Sequence, residues 1–247
     1  MNAPTKRPGL ADAAPFWASL GLVPLVVLAA TYGGWFIALV PACTWVLFAG
    51  IDAIVGDDPA NIDPETSETE LFWYRAVTLV WPLVQAALLI WLLATVPAAP
   101  HLTPGEKIGV FFGMGVLSGT IGINYAHELM HQRPRLDRWL ADVLLAMVLY
   151  SHFRSEHLLV HHRHVATPRD AVTARYGEGF YRFFGRVLRT CPRSALDAEC
   201  AMLARKGQGP WHLSNPFWRY GALQATCLLA AFAIGGPFGL FLFAVQA

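Results

Sequence analysis

Residues 108–131 read IGVFFGMGVLSGTIGINYAHELMH. From Ile108 to Tyr125 the run carries no charge, and it approaches the roughly 20 apolar residues needed to cross about 30 Å of hydrocarbon. Gly113, Gly115, Gly119 and Gly122 recur along it, small residues of the kind that let membrane helices approach closely. The run then passes without a break into His127 and His131. A membrane helix ending in two imidazoles four residues apart is the feature that the rest of the sequence has to accommodate.

The surrounding chain has the composition of a bilayer protein. Its 247 residues are 55% apolar and 14% charged, against about 25% charged in soluble domains. Further spans are expected at Phe16–Thr31 and Trp35–Gly50, joined by a Tyr32-Gly33-Gly34 hairpin, and at Phe72–Val96, where Pro82 allows a kink. Phe217–Ala247, broken at Gly235-Gly236-Pro237, supplies a fifth span and the start of a sixth. Asp52–Glu70 is an acidic connecting loop. The expected fold is all-α, a polytopic transmembrane bundle of about five to six spans with a His-rich helical domain. Its parts are residues 1–126 with four spans, 127–215, and 216–247.

Charge gives the orientation. Apart from Lys6, Arg7, Arg75 and Lys107, every Lys and Arg lies between Arg133 and Arg219. The basic side faces the cytoplasm, and four crossings place the amino terminus there too. The opening MNAPTKRPGLADAAP has no small-residue cleavage site after a short apolar core, so the first span is read as retained. Cys43, Cys191, Cys200 and Cys227 form no CxxC pair and give no disulfide framework. Within the basic domain Leu136–Leu149 is a packed or interfacial helix, and Arg182, Arg186, Arg189 and Arg193 interleaved with Phe180, Tyr181, Phe183 and Phe184 form an interfacial signature. Next to four spans, that cluster is not read as a nucleic-acid surface.

Seven of the nine histidines fall between His127 and His164. His127 and His131 share one helical face, about 5 to 6 Å apart, close enough for one metal ion. In Glu156-His157-Leu158-Leu159-Val160-His161-His162 the same spacing joins His157 to His161, with His162 turned about 100° onto the neighbouring face. Five imidazoles exceed the needs of one tetrahedral zinc and suit two metals. Iron, copper and zinc all accept such a set. His152 and His164 are candidates for orienting a ligand or for the membrane boundary, while His101 and His212 read as structural. Glu128 and Glu156 sit beside ligand candidates, where a carboxylate holds an imidazole N–H, moves a proton or is simply solvated. Val165-Ala166-Thr167-Pro168-Arg169-Asp170 reads as a turn that anchors the second histidine segment.

Three passages resemble the membrane alkane monooxygenases, which include the xylene monooxygenase hydroxylases, within the histidine-box group of desaturases and hydroxylases. They are Asn124–His131; His152-Phe153 through His161-His162 to Asp170; and Ala174–Glu178 followed by Tyr181-Arg182-Phe183. The resemblance implies a six-helix inner-membrane protein of bacteria with two non-haem iron ions. Such an enzyme uses dioxygen and electrons from rubredoxin and its reductase to convert the terminal methyl of a hydrocarbon, taken from the membrane lipid, to a primary alcohol. His127, His131, His157, His161 and His162 are then the ligands and His152 a further candidate; Glu128 and Glu156, from their place beside these ligands, are read as the catalytic carboxylates.

Two departures accompany the likeness. Val160 stands where the family usually has Gly, and the sequence ends at Phe243–Ala247 before the family's later histidine motifs, so a C-terminally truncated hydroxylase is expected. Trp35, Trp45, Trp73 and Trp81 are candidates for closing a channel, against a role as interfacial anchors. A zinc metalloprotease using His127, His131 and Glu128 and a non-catalytic remnant are the rival readings.

Overall fold

The computed structural model describes residues 5–6, 8–56, 61–63, 65–67 and 69–247. Met1–Pro4 and Arg7, part of the retained start read from the sequence, and the acidic-loop residues Asp57–Ala60, Pro64 and Glu68 lie outside the described residues. Among the described residues the chain is helical apart from a two-residue parallel bridge pairing Thr5 with Asn61 and Lys6 with Ile62.

Among the described residues five helices are long and apolar enough to cross a bilayer: Ala11–Tyr32, Gly34–Val55, Phe72–Thr95, Pro104–His131 and Pro216–Gln246. They match the spans expected from hydropathy to within a few residues, and the first, second and fourth run further. The fourth begins at Thr103, whose hydroxyl accepts the Glu106 N–H while the Glu106 carboxylate accepts the Thr103 N–H, a reciprocal cap with Pro104 at the first helical position. The same Glu106 accepts the Gly34 N–H at 2.8 Å, which ties the hairpin between spans one and two to this end. That hairpin turns at Gly33 and Gly34, both at positive φ. The third span stays helical through Pro82.

The fifth helix breaks where the Gly-Gly-Pro sequence predicts. Gly236 has φ 64° and ψ −164°, a conformation open to glycine and strained for other residues. Past it the chain folds back: a Cβ on Gly239 would lie 3.2 Å from the Ala231 carbonyl. The returning segment reaches the fourth span, where the Ser118 hydroxyl donates to Gln246 Oε1 at 3.3 Å.

The chain gathers into two compact units, Met1–Leu144 with Leu228–Ala247, and Leu145–Cys227. In the first, spans one, three and four are fastened near one end. The Trp17 indole donates to the Trp73 carbonyl at 3.0 Å, and the Tyr125 hydroxyl donates to the Phe16 carbonyl at 2.9 Å. Trp81 is fully buried and its indole donates to Gln85 Oε1 at 2.8 Å. This pair lies four residues apart on span three and satisfies the indole donor within that helix. In the second unit Phe180–Ala204 is the long helix. Ser155 Oγ donates to Glu199 at 2.6 Å and lies 2.9 Å from the Tyr220 hydroxyl, while Ala171, Val187 and Cys191 form a small core with Val172 and Phe183 against it.

Span four is π-helical over Ser118–Gly122, and a Cβ on Gly122 would fall 2.3 Å from Gln85 Oε1. Gly122→Ala is therefore expected to push Gln85 off Trp81 and lower stability by about 1–3 kcal/mol. Gly119→Ala meets nothing within 4 Å and is expected to be near neutral. Thermal unfolding of the two variants in the same detergent decides this, and equal midpoints would refute the close contact.

Candidate metal-binding histidines

The first histidine pair lies on the last turn of the fourth span, with the rings of His127 and His131 4.9 Å apart in an edge-to-face arrangement. The i, i+4 spacing of an α-helix gives this separation without further help. Glu128, one step round the helix, accepts a hydrogen bond from the Gln132 amide at 2.7 Å.

The second group is built differently. Residues 153–164 form one continuous helix, but its middle, His157–His161, is a π turn. In an α-helix residues five apart point about 140° away from one another. The wider i→i+5 turn brings them back to one face. His162 Nε2 accordingly lies 2.8 Å from His157 Nε2, with ring centroids 4.4 Å apart, and His157 and His161 stack at 5.2 Å. The sequence reading had placed His162 on a neighbouring face. The structure instead gathers all three rings, because the turn is not α-helical.

Two nitrogens facing at 2.8 Å need a shared proton or a cation between them, and neutral imidazoles are ligands for iron, copper and zinc alike. His161 is already oriented for such a role. Its Nδ1 donates to Asp170 Oδ2 at 2.9 Å, which leaves Nε2 as the ring atom with a lone pair. Asp170 is 1% exposed and is held in turn by the Thr173 hydroxyl and the Val172 N–H. Burial works against its charge, but these hydrogen bonds and His161 outweigh it and keep its pKa low. The donor set fits a transition metal on this observation alone.

The remaining sequence candidates occupy distinct settings. The ring of His152 meets Tyr150 edge-on at 4.5 Å, and burial holds it neutral by pushing its pKa down to about 4. Glu156 is fully buried. Burial, and then the nearby Asp170 charge, raise its pKa, and the Cys191 thiol beside it is pushed up to about 12 by the same burial. Val160 is buried within the π turn. His101 bonds the Ala30 carbonyl at 3.1 Å and His212 accepts the Ser214 N–H at 3.1 Å. Of the four tryptophans considered for a channel, Trp81 is buried, whereas Trp35, Trp45 and Trp73 are exposed.

Sequence reasoning missed two groups. Asp170 was seen only as the end of a turn, since no spacing rule links an acid to a histidine nine residues earlier. Arg186 was placed in a basic interfacial cluster, yet its side chain is 17% exposed. It donates to the Ala171 and Thr173 carbonyls and to Glu178, clamping the loop that carries Asp170 onto the long helix. Alternation of basic and aromatic residues does not tell a clamp from a solvated charge.

Transmembrane helices, one of them ending in a histidine pair, and a helical unit that carries a second histidine group are the marks of the membrane histidine-box class. Within it, residues 107–247 match the fatty acid desaturase family, and the chain belongs to that family. Among curated proteins it is 32% identical over 227 residues to the alkane 1-monooxygenase of Pseudomonas putida, covering 90% of this chain and 55% of that protein. It is 32% identical over 239 residues to alkane 1-monooxygenase 1 of Alcanivorax borkumensis, covering 93% and 57%. With the xylene/toluene monooxygenase hydroxylase component of Pseudomonas putida it shares 35% over 135 residues, 54% of this chain and 36% of that one. The chain thus spans little more than half the length of the two alkane monooxygenases. It is a multi-pass membrane protein.

The Arg186 clamp makes a pH prediction. Arg186 holds the Glu178 carboxyl down at about 2, from an ordinary 4.5. A lowered acid pKa stabilises the fold at every pH above the unfolded value, and that stabilisation is lost as pH falls through the folded one. Between pH 4.5 and about 2 the 165–178 loop should loosen. Hydrogen exchange of this loop measures it, and Glu178→Gln should show the looser loop already at pH 7. An unchanged loop in that variant would remove the clamp.

Proposed function

We propose that the chain belongs to a non-haem di-iron membrane monooxygenase that hydroxylates the terminal methyl of an alkane or related hydrocarbon. The likeness to alkane 1-monooxygenases over more than nine-tenths of this chain in one case supports the reaction. The observation that carries the proposal in this chain is the convergence of His157, His161 and His162 through the π turn, with Asp170 fixing the His161 tautomer. His127 and His131 supply further imidazoles, and His152, kept neutral by burial, is the reserve candidate. Iron bound by these residues would supply dioxygen activation.

The residues themselves set the conditions for that chemistry. Asp170 keeps the lone pair of His161 on Nε2. Glu156, buried and biased toward its protonated form, is the proton-bearing group beside the histidine turn, and Glu128, tied to Gln132, is the second carboxylate of the proposal. The overall change joins one oxygen atom of dioxygen to the methyl carbon and reduces the other to water, with two electrons and two protons. Rubredoxin and its reductase are proposed as the electron source, and the surrounding membrane lipid as the reservoir of the apolar substrate.

The abundance of Arg and Lys between residues 133 and 219 supports a cytoplasmic location for the histidine-rich segment of a bacterial inner-membrane protein. A zinc metalloprotease built on His127, His131 and Glu128 gives no role to the His157 group, and a metal-free remnant gives none to the Asp170–His161 bond.

Elemental analysis of the purified 247-residue protein is the test. About two irons per chain are expected from two histidine groups, lost in His157→Ala. Asp170→Asn keeps the shape but weakens the hold on His161, and should lower iron affinity by roughly 10–100-fold. One zinc unaffected by His157→Ala would turn the assignment to the protease, and absence of metal would end the hydroxylase proposal for this chain.

A further inference from the structure

The first unit holds a cavity of about 580 Å³, within the size range of small-molecule sites. Phe16, Leu71 and Tyr74 give it an apolar wall, where spans one and three begin and span four ends. Its polar lining is unusual in what it offers. The Thr78 hydroxyl donates to the Arg75 carbonyl at 2.8 Å. The Asn124 amide donates to the Thr120 carbonyl, and the Tyr125 hydroxyl to the Phe16 carbonyl or Ser19. The Gln132 amide donates to Glu128 Oε1. Arg75 is directed at Asp137, with both carboxylate oxygens within 3.1 Å.

Thr78, Asn124, Tyr125 and Gln132 therefore each direct a hydrogen toward a protein acceptor. Glu128 Oε2 and Asn124 Oδ1 still have lone pairs to offer, since Asn124 and Gln132 use their nitrogens in these bonds. Arg75 and Asp137 offset one another, so Glu128 gives the cavity a net negative bias. A ligand that donates hydrogen bonds to these two acceptors, carries positive charge and brings an apolar chain for the wall fits this lining.

We propose that the cavity binds a linear amphiphile whose head donates hydrogen bonds, ammonium-headed in preference to hydroxyl-headed, with Glu128 and Asn124 as its acceptors. The site shares Glu128 with the oxygenation proposed above but rests on no histidine, so labelling and metal content fail separately. Two sources meet the chemistry, an amine-headed bilayer lipid and a free long-chain alcohol.

The test uses the full chain in nanodiscs with diazirine-bearing dodecylamine, dodecanol and dodecanoic acid, and maps the labelled peptides. The amine and, more weakly, the alcohol should label segments 71–78 and 124–132, and the acid should not. Glu128→Gln should reduce amine labelling on the order of tenfold, as expected for loss of a charged hydrogen bond. Asn124→Leu, at an exposed position, should weaken both the amine and the alcohol, with the unfolding midpoint checked for each variant. Competition separates the sources. Suppression by phosphatidylethanolamine but not phosphatidylcholine nanodiscs, whose quaternary ammonium has no N–H, assigns the bilayer lipid; suppression by unlabelled dodecanol in both assigns the alcohol. Equal labelling by the acid, labelling confined to other segments, or labelling unchanged in both folded variants would overturn the proposal.

Discussion

The geometry of the second histidine group depends on one local departure from the α-helix, the π turn at His157–His161. Opening the helix by one residue costs regular hydrogen bonding, and such turns occur mostly where function requires a side chain to be re-aimed. Here the re-aimed side chain is His162. Had the turn stayed α-helical, His157 and His161 would still share a face, and His162 would point away from both. The neighbouring structure holds the opened turn in place. Ser155, two residues before it, is bonded to Glu199 and Tyr220, and His161, at its end, is bonded to Asp170.

That second anchor extends the dependence outward. Asp170 can hold His161 only while its loop stays on the long helix, and the loop is fixed by Arg186 through two backbone carbonyls and Glu178. A chain of ordinary polar contacts therefore runs from an arginine on Phe180–Ala204 to a ring nitrogen. The passages that carry the family likeness, around Asp170 and Glu178, are the same ones this chain of contacts uses.

Much of this architecture was legible in the sequence because the bilayer imposes a strict rule. Apolar runs of sufficient length have few alternatives to helices that satisfy their own backbone, so Phe72–Thr95 is found within one residue of its expected end. The Gly-Gly-Pro break at 235–237 was visible for the same reason, since only glycine takes the φ of Gly236 without strain. Pairs spaced i, i+4 were legible too. What could not be read was whatever depends on non-helical geometry or on distant partners: the π turn, which has no composition of its own, the Asp170–His161 bond, and the burial of Arg186. The helix ends also ran past their hydropathy limits, as Pro104 did, because a cap such as Thr103–Glu106 acts on hydrogen bonds and not on apolarity.

The spans themselves show how the fold keeps polarity where it is useful. Thr31, Thr44, Thr95 and Thr226 each turn their hydroxyl back to the carbonyl four residues earlier, so none presents an unsatisfied donor to the lipid. Inside the bundle the Trp81 indole is satisfied by Gln85 Oε1. Glu128, the histidine pair and the π turn lie instead at helix ends and in the second unit. The end of the fourth span holds two of these settings together, the His127–His131 face and the Glu128 side of the cavity. Adjacent residues on a helix point about 100° apart, so one turn can serve a metal ligand set and a separate polar head without the two competing for the same space.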